Sequence, residues 1–351
     1  MDFAFSDEQE MLRAAARDWL ADRYPAERVA ALADSAEGWD PTSWPELTEL
    51  GWLDPELSLL DHAVLAEEAG YALYPGPWLV TVGLALPAYV DRPPTRPTTL
   101  AWADDGAATL RDAATSVACR ADEEVDGWRL SGAKRAVPDA ASAAEAVVVA
   151  RTGDGVALFR VNLHAAADGV QPVPTLDATR RYAELRLDGT PAEPLADPAA
   201  AAAILPATRR RVLALLACEA VGVAQRALDL AVDYAKTRTQ FDRPIGSYQG
   251  VSHRLANVYA GLELARSLAY RAAWCVAVDD PDADEAVATA TAAAGHAAVD
   301  GCENAIQSMG GIGFTWDHVL HRLYKRAQWI EAFEGVGRAH RADLAALLLD
   351  G

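Results

Sequence analysis

Two short motifs in the last third of the sequence contain residue types that could hold a large anionic ligand. RTQFDRPIGSYQ at 238–249 begins with Arg238, and a guanidinium can form two parallel hydrogen bonds to a phosphate or pyrophosphate. QSMGGIGF at 307–314 has three glycines within four positions, which let a ligand lie against backbone N–H groups, and Gln307 adds a side-chain donor and acceptor. Taken singly, the arginine is more typical of a helix C-terminal cap with a salt bridge, and the glycines also suit a tight turn between helices.

Two glutamates are candidates for a general base. Glu334 precedes Gly335 in EAFEGVGRAHR at 331–341, and a loop carboxylate that points into an apolar pocket can remove a proton from a substrate. The plainer alternative is an exposed loop acid. Glu219 lies in the apolar helical segment ACEAVG, where it must be paired, protonated or directed into a pocket, and Arg181 is one possible partner. We rank Glu219 below Glu334.

Three regions of different pattern must position these residues. Residues 1–95 are predicted to form helices, the first of which begins at Ser6, with Gln9 at the spacing of a capping box. Residues 96–197 follow a proline-rich boundary and read as short strands separated by turn residues, which is typical of a β-barrel or sandwich. Residues 198–351 return to long apolar helical segments, as in a helical bundle. The predicted fold is therefore mainly α with a central β domain.

The individual elements follow from the local periodicity of apolar residues and from turn residues. The segment that follows Pro75 is predicted to be either helix or strand. Other helices are predicted at 6–23, 26–35, 44–53 and 59–72, and a long helix starts near 198. Further helices are predicted at 248–279, 281–308 and 316–331, with a last helix from near His340. Strands are predicted at 99–103, 114–121, 127–137, 145–152, 156–161 and 181–189.

Composition excludes several classes of partner. The formal charge of −20, from 51 acidic and 31 basic residues, argues against nucleic acid and against an anionic membrane surface. The N-terminus is acidic and polar, unlike a signal peptide, and no apolar run is long enough to span a membrane. The four cysteines lack metal-ligand spacing, so we expect reduced thiols, no metal site and a cytoplasmic location.

The order of these motifs resembles the acyl-CoA dehydrogenase family. RTQFDRPIGSYQ, QSMGGIGF and FEG follow one another as in the C-terminal half of that family. The opening FAFSDEQEMLRAAARDWL resembles its first helix, and GWRLSGAKRAV resembles a strand pair of its β domain, so the likeness covers nearly the whole chain. It implies a helical domain, a β-barrel and a four-helix bundle, the same order that the periodicity predicts.

The resemblance also implies a cofactor and roles for particular residues. The family binds FAD at a subunit interface, so we expect a homo- or hetero-oligomer. Glu334 matches the glutamate of the family's EG motif, the commonest position of the catalytic base. Six residues would contact the FAD of a neighbouring subunit, the last three along its adenosine half: Arg238, Gln240, Phe241, Gln307, Gly310 and Gly311.

The implied reaction is the oxidation of an acyl-CoA thioester to its trans-2-enoyl product. The base removes a proton from Cα while a hydride leaves Cβ for flavin N5, and the electrons pass to an electron-transfer flavoprotein or a similar acceptor. Hydrogen bonds from the flavin ribityl hydroxyl and from the backbone N–H of Glu334 would stabilise the enolate-like transition state.

The β region departs from the family pattern. The family's TEPxAGSD-like loop is replaced by LAWADDGAATL at 100–110, and its KxWIT strand by KRAVP. Ala136 and Pro138 therefore stand where an aromatic residue and a threonine would lie beside the flavin, which removes a stacking surface and a backbone donor. The short N-terminal region resembles members that pair with a different subunit in α2β2 assemblies.

Three functions follow from these observations. The first, which we favour, is an FAD-dependent acyl-CoA dehydrogenase that uses Glu334. The second is a non-catalytic subunit that completes the site of a related partner, which the missing loop favours. The third is a flavin monooxygenase of the same fold, against which the glutamate of the EG motif argues.

Overall fold

The computed structural model describes residues 5–89, 93–104, 109–335 and 337–349. The chain is mostly helical, with a β region in the middle and a helical bundle at the C-terminal end, as the sequence predicts. It divides into two compact units, each assembled from segments that are distant in sequence. The first unit contains Met1–Ala31, Ser58–Tyr74 and Leu213–Gly351, and the second contains Leu32–Leu57 and Pro75–Val212. The division into three domains at 95 and 197 stays a prediction.

The helices follow the predicted pattern closely. Ser6 Oγ accepts a hydrogen bond from the Gln9 N–H, and Gln9 Oε1 accepts one from the Ser6 N–H, both at 3.2 Å, which confirms the capping box. The helices are α1 (Asp7–Arg23), α2 (Ala26–Asp34), α3 (Ser43–Glu49), α4 (Leu59–Ala72), α5 (Trp78–Val80), α6 (Pro198–Thr237), α7 (Gln249–Ala277), α8 (Ala283–Met309), α9 (Leu320–Ala332) and α10 (Gly337–Leu349).

Two glycines let helices α4 and α6 cross in close contact within the first unit. A Cβ on Gly70 would overlap the carbonyl oxygen of Glu219, and a Cβ on Gly222 would overlap that of Glu67. Among the later helices, α8 contacts α7, α9 and α10. The first unit holds every residue that the sequence predicts for the base and for FAD contacts, because all of them lie within Leu213–Gly351.

The second unit contains a closed β-barrel. Its strands are β1 (Thr98–Ala101), β2 (Arg120–Glu124), β3 (Gly127–Pro138), β4 (Glu145–Arg151), β5 (Val156–Asn162), β6 (Val170–Val173) and β7 (Tyr182–Ala196). The sheet closes because β5 pairs with both β4 and β7, while β2 and β3 join β4 to β7 on the other side. Of the two predicted architectures, barrel and sandwich, the chain forms the barrel.

The structure corrects two predicted elements and adds a strand. The strand predicted at 114–121 begins only at Arg120, because the N–H groups of Ala118 and Cys119 bond the carboxylate of Asp104, at 2.6 and 3.3 Å, instead of a neighbouring strand. Strand β6 has no counterpart in the prediction. The last helix begins at Gly337 rather than near His340.

The segment after Pro75 is helical, not a strand. Helix α5 continues into a π-helical turn at Thr81–Ala85 and a 3₁₀ turn at Leu86–Ala88. The wider π turn leaves the carbonyl of Val82 to accept a hydrogen bond from Arg211 Nε at 2.7 Å. Burial lowers the pKa of the Arg211 guanidinium to about 10.

Candidate active site

Glu334 lies in a tight turn between α9 and α10. Its backbone is left-handed, with φ of 58°, which is uncommon for a residue other than glycine. Gly335 follows with φ of 104°, and a Cβ there would lie 2.9 Å from the Cβ of Ala339, so both the conformation and the space require glycine. The glutamate is 9% exposed, which excludes the alternative of a freely solvated loop acid.

His340 on α10 fixes this turn from inside the protein. The side chain is 1% exposed, and its Nε2 lies 3.3 Å from the carbonyl oxygen of Phe333, the residue before Glu334. Because a carbonyl oxygen only accepts, Nε2 carries the proton in this hydrogen bond. The backbone that leads into the left-handed turn is therefore held by a buried side chain.

Arg238 begins a hairpin that joins α6 to α7. Its N–H bonds the carbonyl of Tyr234 at 2.8 Å, so it ends the helix, but no carboxylate of the described residues forms an ion pair with its guanidinium. The hairpin strands are β8 (Thr239–Gln240) and β9 (Arg243–Pro244). Phe241 at the tip has φ of 52° and is 87% exposed.

The glycines after α8 have two different roles. Gly310 ends the helix with φ of 65°, and a Cβ on Gly310 or Gly311 would meet no atom within 4 Å. A Cβ on Gly313, in contrast, would lie 3.1 Å from the Cβ of Met309, a tight contact, so packing favours glycine at that position. Only the first two leave backbone open to a ligand. Gln307, one turn earlier, is exposed.

The predicted FAD residues fall into two separate groups on the surface of the first unit. Arg238, Gln240 and Phe241 share the hairpin, and the other three lie at the end of α8. No hydrogen bond or ion pair among the described residues joins the two groups to each other or to Glu334. Within one chain, the residues of each group lie together, but the two groups and Glu334 are not joined into the whole predicted site.

Glu219, the second candidate base, forms a buried ion pair. Its carboxylate bonds the guanidinium of Arg326 on α9, and the two side chains are 1% and 0% exposed. Arg181, the partner considered from the sequence, donates to the carbonyl oxygens of Ala33 and Ser35 at 3.0 and 2.7 Å. The structure therefore selects the paired alternative for Glu219.

A buried charge cluster in the first unit was missed from the sequence. Glu67 and Glu68 on α4 are 5% and 1% exposed. Arg17 forms two hydrogen bonds to Glu68, at 2.8 and 2.7 Å, while Arg266 pairs with Glu67 and the Tyr270 hydroxyl donates to Glu67 at 2.7 Å. Two adjacent glutamates in the otherwise apolar segment LAEEAG were the available signal.

The barrel of the second unit buries a lysine where the sequence departs from the family pattern. Lys134 Nζ lies 2.8 Å from Asp104 Oδ1, and the two side chains are 0% and 1% exposed. Burial lowers the pKa of Lys134, and the Asp104 carboxylate opposes that shift. Two residues further on, Ala136 has φ of 45° at an irregularity of β3. Asp104, which lies in the segment that replaces the family loop, thus neutralises the charge of a lysine buried in the barrel.

The described residues contain no group of three or more His, Cys, Asp or Glu side chains arranged to hold a metal ion. None of the described helices is long and apolar enough to cross a membrane.

Similarity to known proteins agrees with the motifs and the fold. Residues 209–349 match the family model for the acyl-CoA dehydrogenase C-terminal domain. The chain is 34% identical over 336 residues to the acyl-CoA dehydrogenase IpdE2 of Mycobacterium tuberculosis, covering 92% of this chain and 91% of that protein. The chain belongs to the acyl-CoA dehydrogenase family.

Solved structures of acyl-CoA dehydrogenases have the same fold. The Tcur3481–Tcur3483 steroid ACAD, solved as a variant, is 30% identical with a TM-score of 0.84, over 98% of each chain. The ChsE4–ChsE5 complex from Mycobacterium tuberculosis is 25% identical, with a TM-score of 0.84 over 100% of each chain. The second of these structures is a complex of two named proteins.

Proposed function

We propose that this acyl-CoA dehydrogenase oxidises an acyl-CoA thioester to the trans-2-enoyl-CoA, with Glu334 as the base. The observation that carries the proposal is the buried Glu334 in its left-handed turn, 9% exposed and followed by a glycine that the turn requires. A desolvated carboxylate on a fixed turn is suited to take the α-proton of a thioester. The N–H of Glu334 itself is proposed to donate to the thioester oxygen.

FAD is the proposed cofactor, and the exposed residues fit a dinucleotide. Arg238 has no ion-pair partner among the described residues and can meet a pyrophosphate, while the open backbone at Gly310 and Gly311 admits a ligand without side-chain clash. Bound FAD would accept the hydride that leaves Cβ. Because the two groups of residues face outward, we propose that a neighbouring subunit supplies the rest of the site. We propose an electron-transfer flavoprotein or a similar protein as the electron acceptor.

The test of the base is Glu334→Gln, which keeps the shape of the side chain and removes the carboxylate. We expect acyl-CoA-dependent flavin reduction, followed without oxygen, to fall by about 10²- to 10⁴-fold while bound flavin per chain stays the same. Glu303→Gln is the matched control, because Glu303 is exposed and bonds only the Tyr324 hydroxyl among the described residues. An unchanged rate in Glu334→Gln would show that this residue is not the base.

A second candidate function is that of a subunit which completes the site of a related partner. The observation that favours it is the barrel, where Ala136 offers no aromatic ring, Pro138 offers no backbone N–H donor and Asp104 is paired with Lys134. The chain should be purified alone, and its flavin content and assembled mass measured. About one FAD per chain in a homo-oligomer supports a complete dehydrogenase, whereas absence of flavin supports the partner role.

The first substrates to compare are a polycyclic and a short straight-chain acyl-CoA. The likeness to a steroid ACAD favours the polycyclic thioester. Product formed only in the presence of oxygen, with oxygen incorporated, would instead indicate the flavin monooxygenase.

A further inference from the structure

A cavity of about 350 Å³ lies within the first unit, where the N-terminal helices meet the C-terminal bundle. Its walls are formed by residues of α1, α2, α4, α6 and α9 and of the turns beside them. A cavity of this volume is large enough for a small organic molecule. Among the lining residues that the structure describes, none belongs to the proposed base or to the proposed FAD contacts.

Much of the cavity wall is apolar. Its buried apolar side chains are Leu20, Tyr24, Val29, Leu73 and Leu323. A hydrocarbon group that enters the cavity exchanges water for these side chains, which favours binding in proportion to the apolar area covered. The wall therefore suits the apolar body of a ligand.

Arg226 on α6 is the arginine of this cavity that has no carboxylate partner among the described residues. It donates one hydrogen bond, at 3.2 Å, to the hydroxyl of Tyr71, and its guanidinium carbon lies 5.1 Å from the centre of that ring. The Tyr71 hydroxyl donates in turn to Asp229, which also accepts a hydrogen bond from Gln225. Because a guanidinium has five N–H donors, Arg226 keeps a free fork for an oxyanion.

The other charged groups around the cavity leave this arginine as the cation to be matched. Arg17 and Glu68 neutralise each other through two hydrogen bonds, at 2.8 and 2.7 Å. Glu27 is exposed to water, so its charge is screened. Burial, and then the charge of Arg226, lower the pKa of His318, which is therefore neutral at pH 7. One unpaired guanidinium beside an apolar wall matches a monovalent anion.

We propose that this cavity binds the free carboxylate of a small amphipathic acid. The carboxylate pairs with Arg226, and the hydrocarbon body lies against the apolar wall. The inference goes beyond the proposed function, because it requires neither FAD nor Glu334. A bound acid contacts the N-terminal helices and the bundle together, so it stabilises the folded chain in proportion to its occupancy.

The experiment uses octanoate as the probe and the full-length chain as the protein. Binding is measured by equilibrium dialysis and by the rise in the midpoint of thermal unfolding. We expect wild-type protein to bind octanoate with a dissociation constant of roughly 0.1–1 mM, and Arg226→Gln to weaken it at least about tenfold. Lys236→Gln is the matched control, because Lys236 lies on the same helix with a side chain that is 70% exposed, and it should bind as wild type does. Equal binding by Arg226→Gln, or absence of binding by wild-type protein, overturns the proposal.

A second variant tests the cavity without touching the arginine. Ala21 is an exposed lining residue of α1, so Ala21→Trp fills the cavity from its outer side and should also weaken octanoate. Equal binding by Ala21→Trp would show that octanoate lies elsewhere, for example in the proposed acyl-CoA site, and would overturn the proposal even if Arg226→Gln does not fold.

Two further probes test the chemical class of the ligand. Octanol keeps the hydrocarbon without the charge, and inorganic phosphate carries charge without the hydrocarbon. We expect both to bind wild-type protein at least about tenfold more weakly than octanoate does. Octanol that binds equally well would remove the role of Arg226, and phosphate that binds equally well would remove the role of the apolar wall.

Discussion

The guanidinium of Arg326 and the carboxylate of Glu219 form an ion pair that is closed off from water, joining α9 to the middle of α6. Removing one member of a buried pair leaves the other charge without compensation, which costs about 3–5 kcal/mol. We therefore expect Arg326→Met to lower the free energy of unfolding in urea by about that amount.

The matched control for this pair is Lys236→Met. Its ion-pair partner is Asp233, and the two side chains are 70% and 77% exposed, so we expect a change within about 0.5 kcal/mol. The double variant Glu219→Leu with Arg326→Met should recover part of the loss, because both charges are then absent. A double variant no more stable than Arg326→Met would contradict this account.

The glycine crossing of α4 and α6 gives a second prediction. Gly222→Ala places a Cβ against the carbonyl of Glu67, so we expect the free energy of unfolding to fall by about 1–3 kcal/mol, measured by thermal or urea unfolding. Gly261→Ala on α7 is the opposite case, since a Cβ there meets no atom within 4 Å, and we expect a gain of about 0.5–1 kcal/mol. Equal effects of the two substitutions would show that the crossing does not limit packing.

The thiol of Cys119 should make the chain less stable at alkaline pH. Burial raises the pKa of this thiol from 9.0 to about 11. Below pH 9 both folded and unfolded chains keep the proton; between 9 and 11 only the unfolded chain loses it, so stability falls as the pH rises through that window. Between pH 8 and 10 wild-type protein should lose about 1 kcal/mol more than Cys119→Ala, measured by urea unfolding. Parallel pH profiles would contradict the burial of the thiol.

The hydrogen bond from His340 to Phe333 should affect turnover through the position of Glu334. His340→Leu removes the donor, and a displaced base is expected to lower kcat by about tenfold to a hundredfold with little change in KM. His340→Gln retains an N–H donor and should keep most of the activity. If both substitutions lower kcat equally, or if kcat falls only in step with folded protein, His340 has a purely structural role.

Local sequence was sufficient for most of the helices and for the barrel strands that end in turns. The capping box at Ser6 and the DG turn before β3 are signals contained within a few residues. Strand β2 begins later than predicted because Asp104, fourteen residues before Ala118, takes the N–H groups that a strand would use. A side chain that competes for backbone donors leaves no periodic trace.

The sequence predicts individual residues of the candidate site but not their arrangement. The sequence requires Glu219 to be paired, protonated or directed into a pocket, and only the packing of α9 on α6 identifies Arg326, 107 residues later, as its partner. The glycine motif was recognised as one feature, yet Gly313 is favoured by packing while Gly310 is open to solvent. Such distinctions depend on contacts between helices that are distant in sequence.

The discontinuity of the first unit has a consequence for synthesis in the cell. Arg13 on α1 bonds the hydroxyl of Tyr270 on α7 at 3.1 Å, across a separation of 257 residues. A ribosome that adds about 5–20 residues per second needs roughly 10–50 seconds to make that intervening chain. Throughout this interval Glu67 on α4 lacks Arg266 and Tyr270, its partners on α7, whereas Arg17 on α1 can already pair with Glu68 on α4. The N-terminal helices therefore leave the ribosome first but complete their packing last.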